Sequence, residues 1–434
     1  MSAASKLAPS HPALDLSLIP PPTLRLLHHV SAAATSLGIP AYLVGGFVRD
    51  LLIKRPVKDF DVVVEGDGIR LARSLARMHG GKVTAHPKFG TATWTPPPEL
   101  VTDAHPSHHP DFAAARTEIY RHPGALPEVE YSDIKEDLRR RDFSFNAMAL
   151  RLDGGEIKDL LDPFRGRADL ERGLIRALHA RSFVDDPTRM FRAIRYANRY
   201  GFEIAPATQR LFNDEARQVL SRLSGERLRH EFDLILDEQN SASMLADASH
   251  LGLLSAVDAG LPRFELELAG LRDSAPAPTL GVEADRRTLG YLLWLMGVPK
   301  QDLLRLRERL AFKAGLAKAV LAASALWRDM PVLVGTLPSR WASRLEDVPA
   351  TAIYAVYLRS GEPTLAAYLE RWRHIRPFTT GEDLKRRGLV AGPRFKEVLS
   401  RLRAAWIDGE VTSQGDEAAL LERLLKGSPG TQAK

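Results

Sequence analysis

The sequence predicts an α+β fold: a small N-terminal mixed sheet with helices, followed by an all-α remainder. Short apolar runs with strand character crowd the first third of the chain, and Gly-containing turns separate them. Beyond about Asp169 long amphipathic patterns take over and strand signals vanish. At 434 residues the chain also exceeds one ordinary core, so several domains are expected.

Taken in order, residues 1–20 form a small, polar, Pro-containing tail without the apolar stretch of a signal peptide. A sheet-bearing domain is expected over 21–168. Its strands are Ala41–Val44, Phe60–Val64, Lys82–Ala85, Thr91–Trp94, Phe112–Arg116 and Ala147–Leu152, with a helix over Ile69–His79. Helical segments follow over 169–240, 241–345 and 346–434. Ser274–Pro278 is the clearest linker and Glu346–Ala350 a weaker boundary. The stripe Leu303, Leu304, Leu306, Leu310 is read as core packing.

Composition excludes several classes. Hydrophobic residues make up 44% and charged residues 26%, a globular profile. No apolar run approaches the roughly 18 residues that span a bilayer, so no membrane segment is expected. Cysteine is absent, which rules out disulfides, thiolate zinc sites and cysteine nucleophiles and fits a reducing cytoplasm. The net charge of +6 suits a polyanionic partner. Between Arg172 and Arg199 seven arginines face only two acids, Asp185 and Asp186. On charge alone, a phosphate-facing surface and an exposed basic helix remain equally open.

The chemistry centres on Gly45-Gly46-Phe47-Val48-Arg49-Asp50 followed by Lys58-Asp59-Phe60-Asp61-Val62. Strand residues two apart share a face, so Asp59 and Asp61 are expected to project together. Two close carboxylates repel unless a cation lies between them, and magnesium favours carboxylate plus phosphate oxygens. Two such ions about 3.5–4 Å apart suit in-line phosphoryl transfer. The glycines permit close approach of a triphosphate, with Arg49 in the following helix. Asp-x-Asp alone is a weak signal; its order and spacing after Gly-Gly are far more specific.

Further along stand Asp111-Phe-Ala-Ala-Ala-Arg and Glu136-Asp137-Leu138-Arg139-Arg140-Arg141-Asp142-Phe143-Ser144-Phe145-Asn146-Ala147. Asp185-Asp186-Pro187-Thr188-Arg189-Met190-Phe191-Arg192-Ala193-Ile194-Arg195 follows. Arginine forks bind phosphate bidentately. Asp186 and Arg189, three apart, are neighbours on a helix face, and Asp185 is expected to cap that helix. The His105–His109 cluster reads as a Pro-broken loop rather than a metal site.

Together these motifs resemble the nucleotidyltransferase superfamily that includes polymerase beta. Within it, they are similar to the family of class II tRNA nucleotidyltransferases (CCA-adding enzymes) and bacterial poly(A) polymerases. The likeness runs from about Ala41 to Arg229 and again from Phe378 to Val411. Lys54 departs from the glycine usual there, and Ala114 from a frequent threonine.

The resemblance implies a catalytic head, a helical neck, a body and a tail over the segments above. It implies Asp59 and Asp61 as ligands of two Mg2+ ions, with Asp111 as a third catalytic acid. Gly45, Gly46, Arg49, Arg141, Asp142, Asn146, Asp186, Arg189, Arg192 and Arg195 would meet the nucleotide, Asp186 and Arg189 pairing with the base edge. Lys385, Arg386, Arg394 and Lys396 would grip tRNA. The implied partners are the tRNA 3′ end and CTP and/or ATP, with no protein partner evident. The implied activity adds all of CCA, only CC or only A; 116–136 corresponds to a loop tied to the C-to-A switch. A poly(A) polymerase and a non-catalytic RNA-binding protein of this fold are the alternatives.

Overall fold

The computed structural model describes residues 15–57, 60–101, 109–262, 280–390 and 392–426. Asp59, the His105–His108 part of the histidine cluster, the Ser274–Pro278 linker and most of the N-terminal tail lie outside these residues. The fold is α+β, as the patterns predict. The chain divides into two compact units between Arg222 and Leu223.

The first unit is built on a seven-stranded sheet, ordered β3-β4-β5-β2-β1-β8-β9. Its strands are β1 (Ala41–Val44), β2 (Asp61–Val64), β3 (Lys82–His86), β4 (Thr91–Thr95), β5 (Asp111–Ala114), β8 (Ala149–Asp153) and β9 (Glu156–Leu161). A separate hairpin pairs β6 (Arg116–Ile119) with β7 (Glu128–Tyr131). Within the large sheet β2 and β5 are parallel and the other pairings antiparallel.

The helices of this unit begin with α1 (Pro21–Leu37), α2 (Gly46–Leu52), α3 (Gly68–His79) and α4 (Ile134–Arg139). They continue with α5 (Gly166–Glu171), α6 (Ser182–Asp185) and α7 (Thr188–Tyr200). Helices α1 and α3 pack together and against the sheet through buried Leu26, Val30, Leu71 and Leu75. Tyr42, Val44 and Val63 join Ile134 and Leu138 of α4 in another cluster. Layers on both faces explain why the central strands are continuous apolar runs rather than alternating ones. Asp67 caps α3 by accepting the Arg70 amide at 3.0 Å.

Strands that escape the sequence reading include β7, β9 and a short parallel pair, Leu174–Ile175 with Glu203–Ile204, which lies beyond Asp169 where only helix was expected. β9 carries Glu156, Lys158 and Asp159, and all four residues of β7 are exposed, so neither shows an apolar run. Helix α1 was also unmarked.

The second unit is all helix among its described residues, from Gly225–Leu236 to Gln414–Lys426. Ser224 caps the first of these, and a Cβ on Gly225 would lie 2.4 Å from the Arg309 carbonyl oxygen. Leu303, Leu306 and Leu310 are buried as expected, but Leu304 faces outward and is exposed. Its place one residue after Leu303 turns it off the core-facing stripe. Near the C-terminus Glu417 is buried, accepting the Phe378 amide at 2.9 Å, the Thr379 amide at 2.6 Å and the Trp406 indole at 2.6 Å. No described helix is long and apolar enough to cross a membrane.

Candidate active site

The parallel pairing of β2 with β5 sets Asp61 directly beside Asp111. In-register neighbours on adjacent strands, roughly 4.8 Å apart, point to the same face. Each is the first residue of its strand and each is exposed. On the far side of β5, Thr93 of β4 lies opposite Asp111 and its hydroxyl donates to that carboxylate. A cleft of about 380 Å³ opens over this edge, lined by Asp61, Thr91, Thr93, Asp111, Arg140 and Arg141 among others.

Two side-by-side carboxylates at a cleft floor form a hard oxygen donor set, which fits magnesium. Among the described residues no group of three His, Asp or Glu could hold a metal ion, and Asp59 lies outside them.

The opposite wall explains the Gly-Gly. Gly45 adopts φ +64° as the chain leaves β1 for α2, and a Cβ there would lie 2.9 Å from Arg141 Nη1. Arg141 is held in turn by Asp137, whose carboxylate is fully buried and accepts Arg141 Nη2 at 3.0 Å and Arg140 Nη2 at 2.7 Å. Arg140 also donates to Glu118 of β6 at 2.8 Å. The sequence reading passed over Asp137. Its signal was the spacing, one acid three and four residues ahead of two arginines.

A buried polar chain runs behind the wall. Arg49 donates from both Nε and Nη2 to Asp50 at 2.8 and 3.0 Å, and from Nη1 to Asn146 Oδ1 at 3.0 Å. Asn146 Nδ2 donates to Asp142 at 3.0 Å, and Asp142 accepts Arg192 Nη2 at 2.6 Å. Arg49 and Arg192 both lie over the ring of Tyr196, 5.6 and 5.7 Å from its centroid. Burial pushes the Asp142 carboxyl up, but Arg192 and Asn146 outweigh it and hold it below the usual carboxylate range. Arg49, Asp142, Asn146 and Arg192 are thus brought together. Arg195 sits half-buried farther along α7.

Asp186 and Arg189 also meet, with Oδ2 and Nε 4.0 Å apart. Arg189 is buried, donating Nη2 to the Arg140 carbonyl at 2.7 Å and Nη1 to the Ser182 hydroxyl at 2.9 Å. The capping expectation for Asp185 needs correction. Asp185 ends the short α6, and it is Asp186 Oδ1 that accepts the Thr188 amide and hydroxyl, at 3.2 and 2.7 Å. The β6–β7 hairpin touches the same corner, where the Gly124 amide donates to the Asp185 carbonyl at 3.2 Å.

Lys385, Arg386, Arg394 and Lys396 belong to the second unit, on helices Gly381–Arg386 and Pro393–Asp408, and all are exposed. Lys385 pairs with Glu382, Arg386 with Asp383 and Arg394 with Glu397.

Residues 41–176 match the family described as poly A polymerase head domain, and residues 201–258 the probable RNA and SrmB-binding site of polymerase A. The chain is 32% identical to an A-adding tRNA nucleotidyltransferase of Halalkalibacterium halodurans, over 91% of this chain and 90% of that protein. It is 34% identical to another of that name from Geobacter sulfurreducens, over 94% of this chain but only 47% of that longer protein. A solved CCA-adding enzyme in apo form superposes with a TM-score of 0.82 at 29% identity, covering 96% of this chain and 98% of that one.

Proposed function

Because the chain belongs to the family that joins tRNA nucleotidyltransferases with poly(A) polymerases, we propose that it extends the 3′ end of tRNA without a template, adding the terminal adenosine from ATP. The observation that carries the chemistry is the in-register pair Asp61 and Asp111 at the floor of a cleft walled by Arg140 and Arg141. The choice of adenosine rests on the A-adding relatives, one of them matched along nearly its whole length.

In this reading Asp61 and Asp111, with Asp59, hold two magnesium ions. Bound there, the ions supply activation of the RNA 3′-hydroxyl and charge neutralisation of departing pyrophosphate. Gly45 and Gly46 let the backbone approach the triphosphate, and Arg141 presents its fork to a phosphate. Asp186 and Arg189 place an acceptor beside a donor, the arrangement that pairs with the polar edge of a base. The hydrogen bonds of Arg189 to Ser182 and Arg140 fix that donor's direction. Arg49, Asn146, Asp142 and Arg192 act behind these groups as positioning residues. The exposed basic residues of the C-terminal helices would contact phosphates without reading sequence.

The test supplies labelled CTP and ATP, with magnesium, to tRNAs ending at the discriminator base, at C and at CC. Adenosine added to the CC-ending tRNA alone is the expected result. Completion of all three to CCA, or arrest at CC, would keep the family chemistry and reject the adenosine assignment. Long A tails on unrelated RNA would make the chain a poly(A) polymerase, and no incorporation would refute catalysis.

A further inference from the structure

Among the described residues of the first unit, two aromatic rings are strongly exposed: Phe89 at 57% and Tyr131 at 78%. They stand against the same glycine. Phe89 directly precedes Gly90, and a Cβ on Gly90 would lie 3.2 Å from the Tyr131 hydroxyl. Thr91, the next residue, lines the cleft that holds Asp61 and Asp111. The two rings therefore sit at the rim of the candidate active site.

Cations lie close to both rings. The register of β6 with β7 sets Tyr131 opposite Arg116, so the two side chains leave the hairpin on one face. Arg116 Nε is buried without a hydrogen-bond partner. Its Nη2 lies 4.0 Å from the acid on that face, Glu118, whose same oxygen Arg140 engages more closely at 2.8 Å, so that one carboxylate is shared between two arginines. Lys88 Nζ lies 5.9 Å from the centroid of the Phe89 ring. Exposed rings flanked by cations are the chemistry that binds single-stranded nucleic acid, since every base offers a π face and every linkage a phosphate.

We propose that Phe89 and Tyr131 form a stacking platform for the unpaired 3′-terminal bases of the RNA primer, with Lys88 and Arg116 facing its phosphates. This rests on the RNA-extending activity proposed above and adds how the primer end is held at the cleft. A ring that stacks a base contributes to primer affinity without touching the reacting atoms.

The experiment compares the wild-type chain with Phe89→Ala and Tyr131→Ala, using nucleotide incorporation and binding to an RNA acceptor helix with and without its single-stranded 3′ overhang. Incorporation by the wild type stands as the separate test of the underlying activity. Each alanine variant should raise KM for the primer by roughly 5- to 150-fold, with kcat and the nucleotide KM little changed. Affinity should fall for the overhang helix but not for the blunt one, and Phe89→Tyr and Tyr131→Phe should restore it. Equal losses on both helices, a change confined to the nucleotide KM, or no change in primer KM would overturn the platform. A dimer of the wild type that dissociates in the variants, with RNA binding intact, would also overturn it and make the surface a contact between copies.

Discussion

The fully buried carboxylate of Asp137 holds the Arg141 guanidinium at 3.0 Å and so aims it along the wall of the cleft that contains Asp61 and Asp111. The same carboxylate anchors Arg140, whose carbonyl receives Arg189. One acid in the first turn of α4 thus orients Arg141 directly and Arg189 through Arg140.

Replacing Asp137 by Asn keeps the volume and removes the charge, leaving two arginines clustered beside Arg116. Breaking such a pair costs about 2–4 kcal/mol, less than for a wholly buried one because the arginines retain some solvent. Denaturant unfolding should show that loss, and KM for the nucleotide should rise about tenfold, the equivalent of ~1.4 kcal/mol in lost orientation. Unchanged nucleotide KM in a folded variant would remove Asp137 from the positioning role.

The Asp142–Arg192 pair predicts a pH dependence with a definite sign. Asp142 is held below its ordinary pKa, so its contribution is full above the unfolded value of about 3.9 and is lost as pH falls through the folded value. An Arg192→Met variant should be less stable than wild type by about 1–2 kcal/mol near neutral pH, since Arg192 is partly exposed. The gap should close as acid protonates Asp142 in both proteins. Unfolding curves at pH 7, 5 and 3 would decide; a constant gap would mean that Arg192 acts through packing on Tyr196 alone.

Much of the candidate site was legible in sequence because its residues lie on local patterns. Gly45-Gly46 marks a turn, and Asp61 opens an apolar strand. What stayed hidden depends on pairings between distant segments. That Asp111 lies beside Asp61 follows from a parallel register between strands fifty residues apart, which no local pattern encodes. Asp137 reads locally as one more acid in a charged helix, and only burial gives it its role. The hairpin over 116–131 was invisible for the opposite reason: its outward strand β7 has no buried face to write a period-two pattern. In the second unit helicity was plain from periodicity. Which leucine faces inward was set by neighbours, as Leu304 shows.

Lys54 gives a stability test of the one departure in the Gly45–Val64 motif. It adopts φ +56° at the end of α2, a left-handed conformation that costs a non-glycine residue about 1–2 kcal/mol. Glycine would relieve the strain while giving back part of it in unfolded-chain entropy, about 0.5–1 kcal/mol. Lys54→Gly should therefore gain roughly 0.5–1 kcal/mol, or about 1–3 °C in the melting of the first unit. Lys54→Ala, which keeps the Cβ, should gain nothing. Equal effects from both would trace the change to the lysine charge instead.

The carboxylate pair makes the strongest claim and the easiest to separate from folding. Asp61 and Asp111 are exposed at strand starts, side by side, and like charges so placed repel when no cation is bound. Asp61→Asn should accordingly melt at or slightly above the wild-type temperature in the absence of divalent metal. Magnesium should raise the wild-type melting temperature by mass action and leave the variant nearly unmoved. Incorporation should fall by on the order of 10²–10³-fold or more, while tRNA affinity stays close to wild type. Asp111→Asn should follow the same pattern, since register places it at the same point of the cleft. A variant that keeps its magnesium response and its activity would mean that the pair, despite its geometry, holds no metal.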